Sequence, residues 1–129
     1  MSKYTSILTA LRAATGPSRE LDEAVATALG YPITAGQRNY TMDWFPVIHW
    51  HGTHEPCPEW TGSIDSALTL VGEKLPGFDW HLSTSDDKSF CFWLRCVMQG
   101  FDMDVIEYAP TAPLAILVAL FSALEAEER

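Results

Sequence analysis

Hydrophobic positions follow two different periods along this chain, and each period predicts a different kind of element. Apolar residues recur every three to four positions in four stretches, which predicts helices over 5–15, 18–30, 63–76 and from 111 onward. Apolar and polar residues alternate over 78–83 and over most of 101–107, and 90–98 is an apolar, aromatic-rich run bounded by turns, which together predict three strands. Ser18 and Thr111 are suitable N-caps, and Gly30 is a suitable helix stop.

The short turns between the three strands predict an antiparallel meander whose register can be argued. Pairing Trp80 with Leu94 and Leu82 with Phe92 gathers the apolar side chains on one face, whereas a shift by one residue would mix in polar groups. That face would hold Phe78, Trp80, Leu82, Phe90, Phe92, Leu94, Cys96, Phe101, Met103 and Val105. On the other face Arg95 would lie between Asp79 and Asp104, in an ion-pair ladder. We therefore expect an α+β fold of about four helices and a meander, in a single domain over 1–129.

The stretch from Tyr31 to Gly62 is rich in proline and glycine, and only 44–50 reads as a strand. A loop-rich segment of this length in a compact domain is usually functional, so this segment is a candidate for the functional site.

Charge, cysteine content and the length of the apolar runs indicate which partners and which compartment suit this protein. The net charge of −9, from 17 acidic and 8 basic residues, repels phosphate backbones and anionic lipid surfaces, although a local cluster of donors could still bind a small anion. Three cysteines do not form a disulfide framework, and the N-terminus does not look like a signal peptide. The longest apolar run, Leu114 to Leu124, is about half of the roughly 20 residues that a membrane span needs. We therefore expect a cytoplasmic protein.

Several segments resemble one family of small proteins encoded by bacteriophages. The matching segments are 11–22 (LRAATGPSRELD) with 28–30 (ALG), 60–68 (WTGSIDSAL), 75–80 (LPGFDW) and 112–117 (APLAIL). With these segments the chain resembles the phage "ABA sandwich" domain family over most of its length, apart from the loop at 31–59. The resemblance implies a three-layer αβα sandwich and a phage origin. The family has no settled activity and therefore no catalytic residues to carry over.

The densest cluster of metal-ligand types lies in the loop. His49 and His51 would point to the same side of a strand, and with His54, Cys57 or Glu59 they could hold a zinc ion. The alternative is a loop whose histidines pack or form hydrogen bonds. Because spacing alone is weak evidence, we expect no bound metal and no cofactor.

The start of the third helix is a candidate anion site. Backbone N–H groups at a helix N-terminus, together with the hydroxyls of Thr61 and Ser63, could bind a phosphate beside a base stacked on a tryptophan. The candidate ligand-binding residues are Arg38, Tyr40, Trp44, Trp50, Trp60, Thr61, Gly62 and Ser63. The alternative is an ordinary N-cap next to a packed Trp60.

Three functions remain open, since the chain has no Ser–His–acid triad pattern and no glycine-rich phosphate loop. The first is a non-enzymatic phage protein that sequesters a nucleotide-like immune signal, an anti-defence sponge, with a homodimer helping to enclose the ligand. The second is an interaction module that binds a host or phage protein. The third is a metal-dependent hydrolase built on His49, His51 and His54.

Overall fold

The computed structural model describes residues 3–31, 33–38, 44–50, 53–85, 89–98 and 101–127. It describes side chains in these ranges except at 33–38, 44–50, 53–56, 97–98 and 101–102. The elements are α1 Thr5–Ala13, α2 Arg19–Ala28, β1 Ile33–Arg38, β2 Trp44–Trp50, β3 Thr53–Pro56, α3 Ile64–Lys74, β4 Asp79–Thr84, β5 Phe90–Met98, β6 Phe101–Ala109 and α4 Ala112–Glu127. The predicted α+β class, with four helices and an antiparallel meander in this part of the chain, is confirmed.

The meander β4–β5–β6 has the register that the sequence predicts. Trp80 pairs with Leu94, Leu82 with Phe92, and Arg95 lies between Asp79 and Asp104. Phe92 and Leu94 are fully buried. The alternation of apolar and polar residues therefore sets which face of the sheet turns to the core.

Helix α4 forms the centre of the hydrophobic core. It is apolar on all sides, and every residue from Leu114 to Phe121 is buried. It lies on β5 and β6, while α1 and α3 pack against its other sides. A helix enclosed in this way needs no polar face. Among the described helices, none combines the length and apolarity needed to cross a membrane.

Trp80, on the edge strand β4, is less buried than its place on the apolar face of the sheet predicts. Trp80 turns to the helix side of the sheet, as predicted, and stacks on Phe92 with ring centroids 5.8 Å apart. Its side chain is nevertheless 50% exposed, because α4 covers β5 and β6 and β4 extends beyond it.

The face of the meander away from α4 carries exposed side chains, among them His81, Arg95 and Ile106. The described helices that reach this sheet do so from the α4 side. The third layer of an αβα sandwich therefore stays a prediction.

The proline- and glycine-rich segment contains a second sheet, in the order β1–β2–β3. The sequence predicts β2 correctly but misses β1 and β3. The register of β1 against β2 shifts between Thr34 and Gln37, a bulge that breaks the alternation on which strand prediction depends. β3 has only four residues and ends on Pro56, so it carries too short a pattern to be read.

Candidate functional site

Trp60, the tryptophan of the predicted anion site, belongs to the core. Its side chain is 1% exposed and stacks on Tyr31, with ring centroids 6.4 Å apart. The end of α2 positions Tyr31: Gly30 adopts a positive φ of 85°, and the N–H of Tyr31 donates to the Ala26 carbonyl at 2.9 Å. The expectation that Trp60 stacks on a base is therefore wrong, because its ring faces are already covered.

Thr61 is occupied by a buried hydrogen-bond network. Its backbone N–H and its hydroxyl both donate to one carboxylate oxygen of Asp22, each at 2.8 Å, and the hydroxyl accepts from the N–H of Ser18 at 3.0 Å. Thr61 and Asp22 are each 1% exposed. Arg19 donates to the second oxygen of Asp22 at 2.9 Å and to the carbonyl of Cys57. These contacts hold the start of α2 against residues 57–61.

At the start of α3, the backbone N–H groups of Thr61 and Gly62 already have acceptors within the protein. The N–H of Gly62 donates to Glu59, and Ser63 is the N-cap, its hydroxyl accepting from Ser66 at 3.2 Å. A side chain at Gly62 would approach Pro17 to 3.1 Å, so close packing explains this glycine. Asp65 in the first turn adds a negative charge that disfavours an anion. The alternative interpretation, an N-cap next to a packed Trp60, is what the structure shows.

The other predicted ligand and metal residues belong mostly to the second sheet. Tyr40 and His51 lie outside the described residues, as do the side chains of Arg38, Trp44, His49, Trp50 and His54. The backbone register pairs His49 with His54 across β2 and β3. The expectation that these residues bind no metal stays a prediction.

Cys57 is poorly suited to metal binding. Its side chain is 2% exposed, and its thiol lies 3.6 Å from the carbonyl oxygen of Asp22. Burial, together with the nearby Asp22 carboxylate, raises the pKa of Cys57 to about 12. Since the thiolate is the form that binds zinc, this cysteine fits the core rather than a metal site.

Burial also raises the pKa of Asp22 above its ordinary value, although hydrogen bonds from Thr61 and the charge of Arg19 act in the opposite direction. A perturbed carboxyl group often indicates a functional site. Here the carboxylate is enclosed, and both of its oxygens already have partners from the protein. The network around Asp22 is therefore structural.

A recess of about 720 Å³ lies between α1 and α2. Short apolar side chains such as Ala10, Ala24 and Ala28 form much of its wall, with Lys3 and Glu23 among its polar residues. The Thr27 hydroxyl donates back to its own helix at 3.0 Å. This recess offers shape but no convergent set of reactive groups.

The meander face away from α4, which we call the open face, presents a different kind of surface. Trp93 lies at its centre on β5, flanked by His81 on β4 and Ile106 on β6. Tyr108 and Cys91 lie one row further along. Ile106 is 54% exposed and Tyr108 is 60% exposed, values that are high for large apolar side chains.

A charged row borders this apolar centre. Arg95 lies opposite Asp79 and Asp104 in the register, and its guanidinium is 3.9 Å from an Asp104 oxygen and 5.9 Å from the centre of the Trp93 ring. The same Asp104 oxygen accepts from the Trp93 indole N–H at 3.1 Å. Asp79, Trp93 and Arg95 also border a recess of about 270 Å³ that reaches Trp80 and His81. Arg95 and Asp104 are half exposed, so their ion pair is screened by water and contributes little to stability.

Comparison with protein-family models, curated proteins and solved structures finds no match to this chain. The resemblance to the phage family therefore stays a prediction. The sequence does place Trp93, Arg95 and Ile106 together on one face, but Tyr108 was missed because the predicted strand ended at 107. The sequence pattern itself indicates a binding surface, because the open face has more apolar residues than a sheet face exposed entirely to water normally has.

Proposed function

We propose that this protein is a non-enzymatic interaction module that binds another protein through the open face of its β4–β6 sheet. The observation that carries the proposal is the exposure of Ile106 and Tyr108 beside Trp93 on a face away from the helices. Tryptophan, tyrosine and arginine contribute most of the binding energy in many interfaces, and Arg95 completes that set here.

The charges of the open face indicate what chemistry the partner presents. Asp79 and Asp104 lie on either side of Arg95, so the charged row has a net negative charge. The whole chain carries −9, which would steer a basic surface toward it. The partner is therefore a protein surface with an apolar centre bordered by lysine or arginine. The proposed setting is the cytoplasm, where thiols such as Cys91 stay reduced.

A quantitative affinity capture from host extract tests this proposal. The unaltered chain and three variants serve as baits: Ile106→Asp, Tyr108→Ser and, as a control, Thr69→Glu, which adds a negative charge at an exposed position of α3. A genuine partner is retained by the unaltered chain and the control and lost from both open-face variants. The purified partner should then bind about 30-fold more weakly to Ile106→Asp. Binding should also weaken with added salt, because basic groups meet Asp79 and Asp104.

A second candidate function, sequestration of a nucleotide-like signal, rests on the recess beside Arg95. In this recess the Trp93 ring could stack a base and the Arg95 guanidinium could bind a phosphate, while the charge of Asp79 would oppose an anion. This moves the candidate site of an anti-defence sponge from the start of α3 to the open face.

Mass spectrometry of molecules released by heating separates the two candidates. Release of a stoichiometric nucleotide, lost in Arg95→Ala, would contradict the protein-binding proposal and support the sponge. A captured protein that binds the Ile106→Asp variant as tightly as it binds the unaltered chain would also contradict the protein-binding proposal.

A further inference from the structure

The two edge strands of the meander differ in how they are protected from pairing with another strand. β6 turns Glu107 toward the helices, where Glu107 accepts hydrogen bonds from Arg12 and Ser122, each at 3.0 Å. An inward-pointing charge of this kind discourages a further strand. β4 turns Trp80 and Leu82 to the same side, contains no proline or lysine, and pairs with β5 without a bulge. By these criteria β4 is an unprotected edge.

The hydrogen bonds of the hairpin show which backbone groups of β4 face outward. The N–H of Ser85 donates to the carbonyl of Ser89 at 2.9 Å, so these two residues form a hydrogen-bonded pair. Such pairs alternate along antiparallel strands, so Ser83, His81 and Asp79 also direct their backbone groups to β5. The N–H and C=O groups of Trp80, Leu82 and Thr84 therefore point away from β5, toward the unprotected edge of the sheet. These groups offer a row of donors and acceptors for a new strand.

We propose that two copies of this chain pair through β4 in antiparallel fashion, about a two-fold axis at His81, to form a continuous six-stranded sheet. In this register Trp80 lies opposite Leu82 of the second copy, and these pairs exchange backbone hydrogen bonds. Asp79 lies opposite Ser83 of the second copy, so no two like-charged carboxylates meet. The helix side of the joined sheet is apolar across the seam, and the half-exposed Trp80 is covered.

The pairing registers on either side are less favourable. Centring the axis on Leu82 would place Trp80 opposite the polar Thr84. Centring it on Trp80 would leave only three residues of each strand paired within β4. Among these registers, the one centred on His81 is therefore the most complementary, and two-fold pairing is the commonest form of protein assembly.

Pairing at β4 would also extend the open face. The recess lined by Asp79, His81, Trp93 and Arg95 adjoins the seam, so Ser83 of the second copy would lie beside it. The dimer does not depend on the proposed function, since it rests on the backbone edge of β4, whereas partner binding rests on Ile106 and Tyr108 at the other side of the sheet.

Sedimentation equilibrium measures the dimer directly. The unaltered chain should be dimeric at tens of micromolar, and Trp80→Lys should raise the dimer dissociation constant by about 30-fold or more. Tyr108→Lys is the matched control, since it replaces an exposed aromatic by the same charge on the other edge strand. It should leave dimerisation unchanged while weakening capture of the partner. A chain that is monomeric at about 100 µM, or a Trp80→Lys variant that dimerises as the parent does, would overturn the proposal.

Cysteine cross-linking tests the register without relying on Trp80. His81 would face its own counterpart as a non-hydrogen-bonded pair, with Cα atoms about 4.5 Å apart, within the range of a disulfide. In a Cys91→Ser background, His81→Cys should form a covalent dimer on mild oxidation. The control Asp79→Cys should not, because the two copies of residue 79 would lie about 13 Å apart. Equal cross-linking of both variants, or of neither, would contradict this pairing.

Discussion

Two polar clusters in this protein contain similar side chains and differ in almost everything else. Asp22 and Arg19, at the start of α2, meet Thr61, which precedes α3; Asp22 and Thr61 are 1% exposed, and both carboxylate oxygens have partners. Asp104, Arg95 and Trp93 lie on the open face, where the ion pair is half exposed and 3.9 Å long. The difference teaches that a carboxylate–arginine pair is not by itself a functional signal. The buried pair holds elements together, and the exposed pair is available to a partner.

The largest effect is expected from removing the buried carboxylate. Asp22→Ala should lower the free energy of unfolding by about 2–3 kcal/mol, because the N–H and hydroxyl of Thr61 lose their acceptor and Arg19 loses its counter-ion. Urea denaturation measures the loss. Glu20→Ala, at an exposed position of the same helix turn, is the control and should cost less than about 1 kcal/mol. Equal costs would remove the distinction between the two clusters.

A smaller effect is expected from Thr61→Val, which keeps the shape of the side chain and removes its hydroxyl. The cost should be about 1–2 kcal/mol, because the Ser18 N–H loses its acceptor and Asp22 loses one donor. Thr61→Ser retains the hydroxyl and should recover part of this loss. A valine variant as stable as the serine variant in urea denaturation would show that the network contributes little.

The pH dependence of stability sharpens the comparison further. The pKa of Asp22 is raised in the folded state, so the folded protein binds the proton more tightly than the unfolded chain does. Its contribution to stability is therefore present at pH below its ordinary pKa and is lost as the pH rises through the raised value. The Asp22→Asn variant has no titrating group at this position. The free energy of unfolding that it loses relative to the unaltered chain should therefore be larger at pH 4 than at pH 7. A cost that grows with pH would contradict the direction of the shift.

The smallest stability effects are expected on the open face. Arg95→Ala and Asp104→Ala should each change the free energy of unfolding by less than about 0.5 kcal/mol, because both side chains are half exposed. Asp104→Ala should nevertheless weaken binding to the partner, because it removes a carboxylate that meets the partner's basic groups. A loss above about 1.5 kcal/mol in urea denaturation would mean that this row, like the Asp22 network, serves the fold.

The sequence predicts the meander better than any other part of the molecule, because only one register gathers an entirely apolar face. Trp80 pairs with Leu94, and Arg95 lies between two aspartates, as expected. The exposure of Trp80 could not be predicted, since it depends on how far α4 reaches across the sheet. Alternation reports which side chains share a face but not how completely another element covers that face.

The candidate site was harder to predict because burial of a single residue in a loop has no periodic signal. Trp60 has the composition of a stacking platform, and only its packing against Tyr31 shows that it is a core residue. The reverse holds for Asp22. Its place in the first turn of a helix predicts a favourable surface charge, yet its side chain is buried. Both outcomes depend on contacts between α2 and residues 57–61, which are distant in sequence.

The central position of α4 also has a consequence for how the chain is made. α4 follows all the other described elements in the chain, so β5, β6, α1 and α3 leave the ribosome before the helix on which they pack. At about 5–20 residues per second, the nascent chain spends seconds with the apolar side of its meander uncovered. Phe92 and Leu94, fully buried at the end, are then accessible to chaperones or to neighbouring nascent chains. Until α4 is made, the exposed apolar side of the meander therefore makes the nascent chain prone to aggregation.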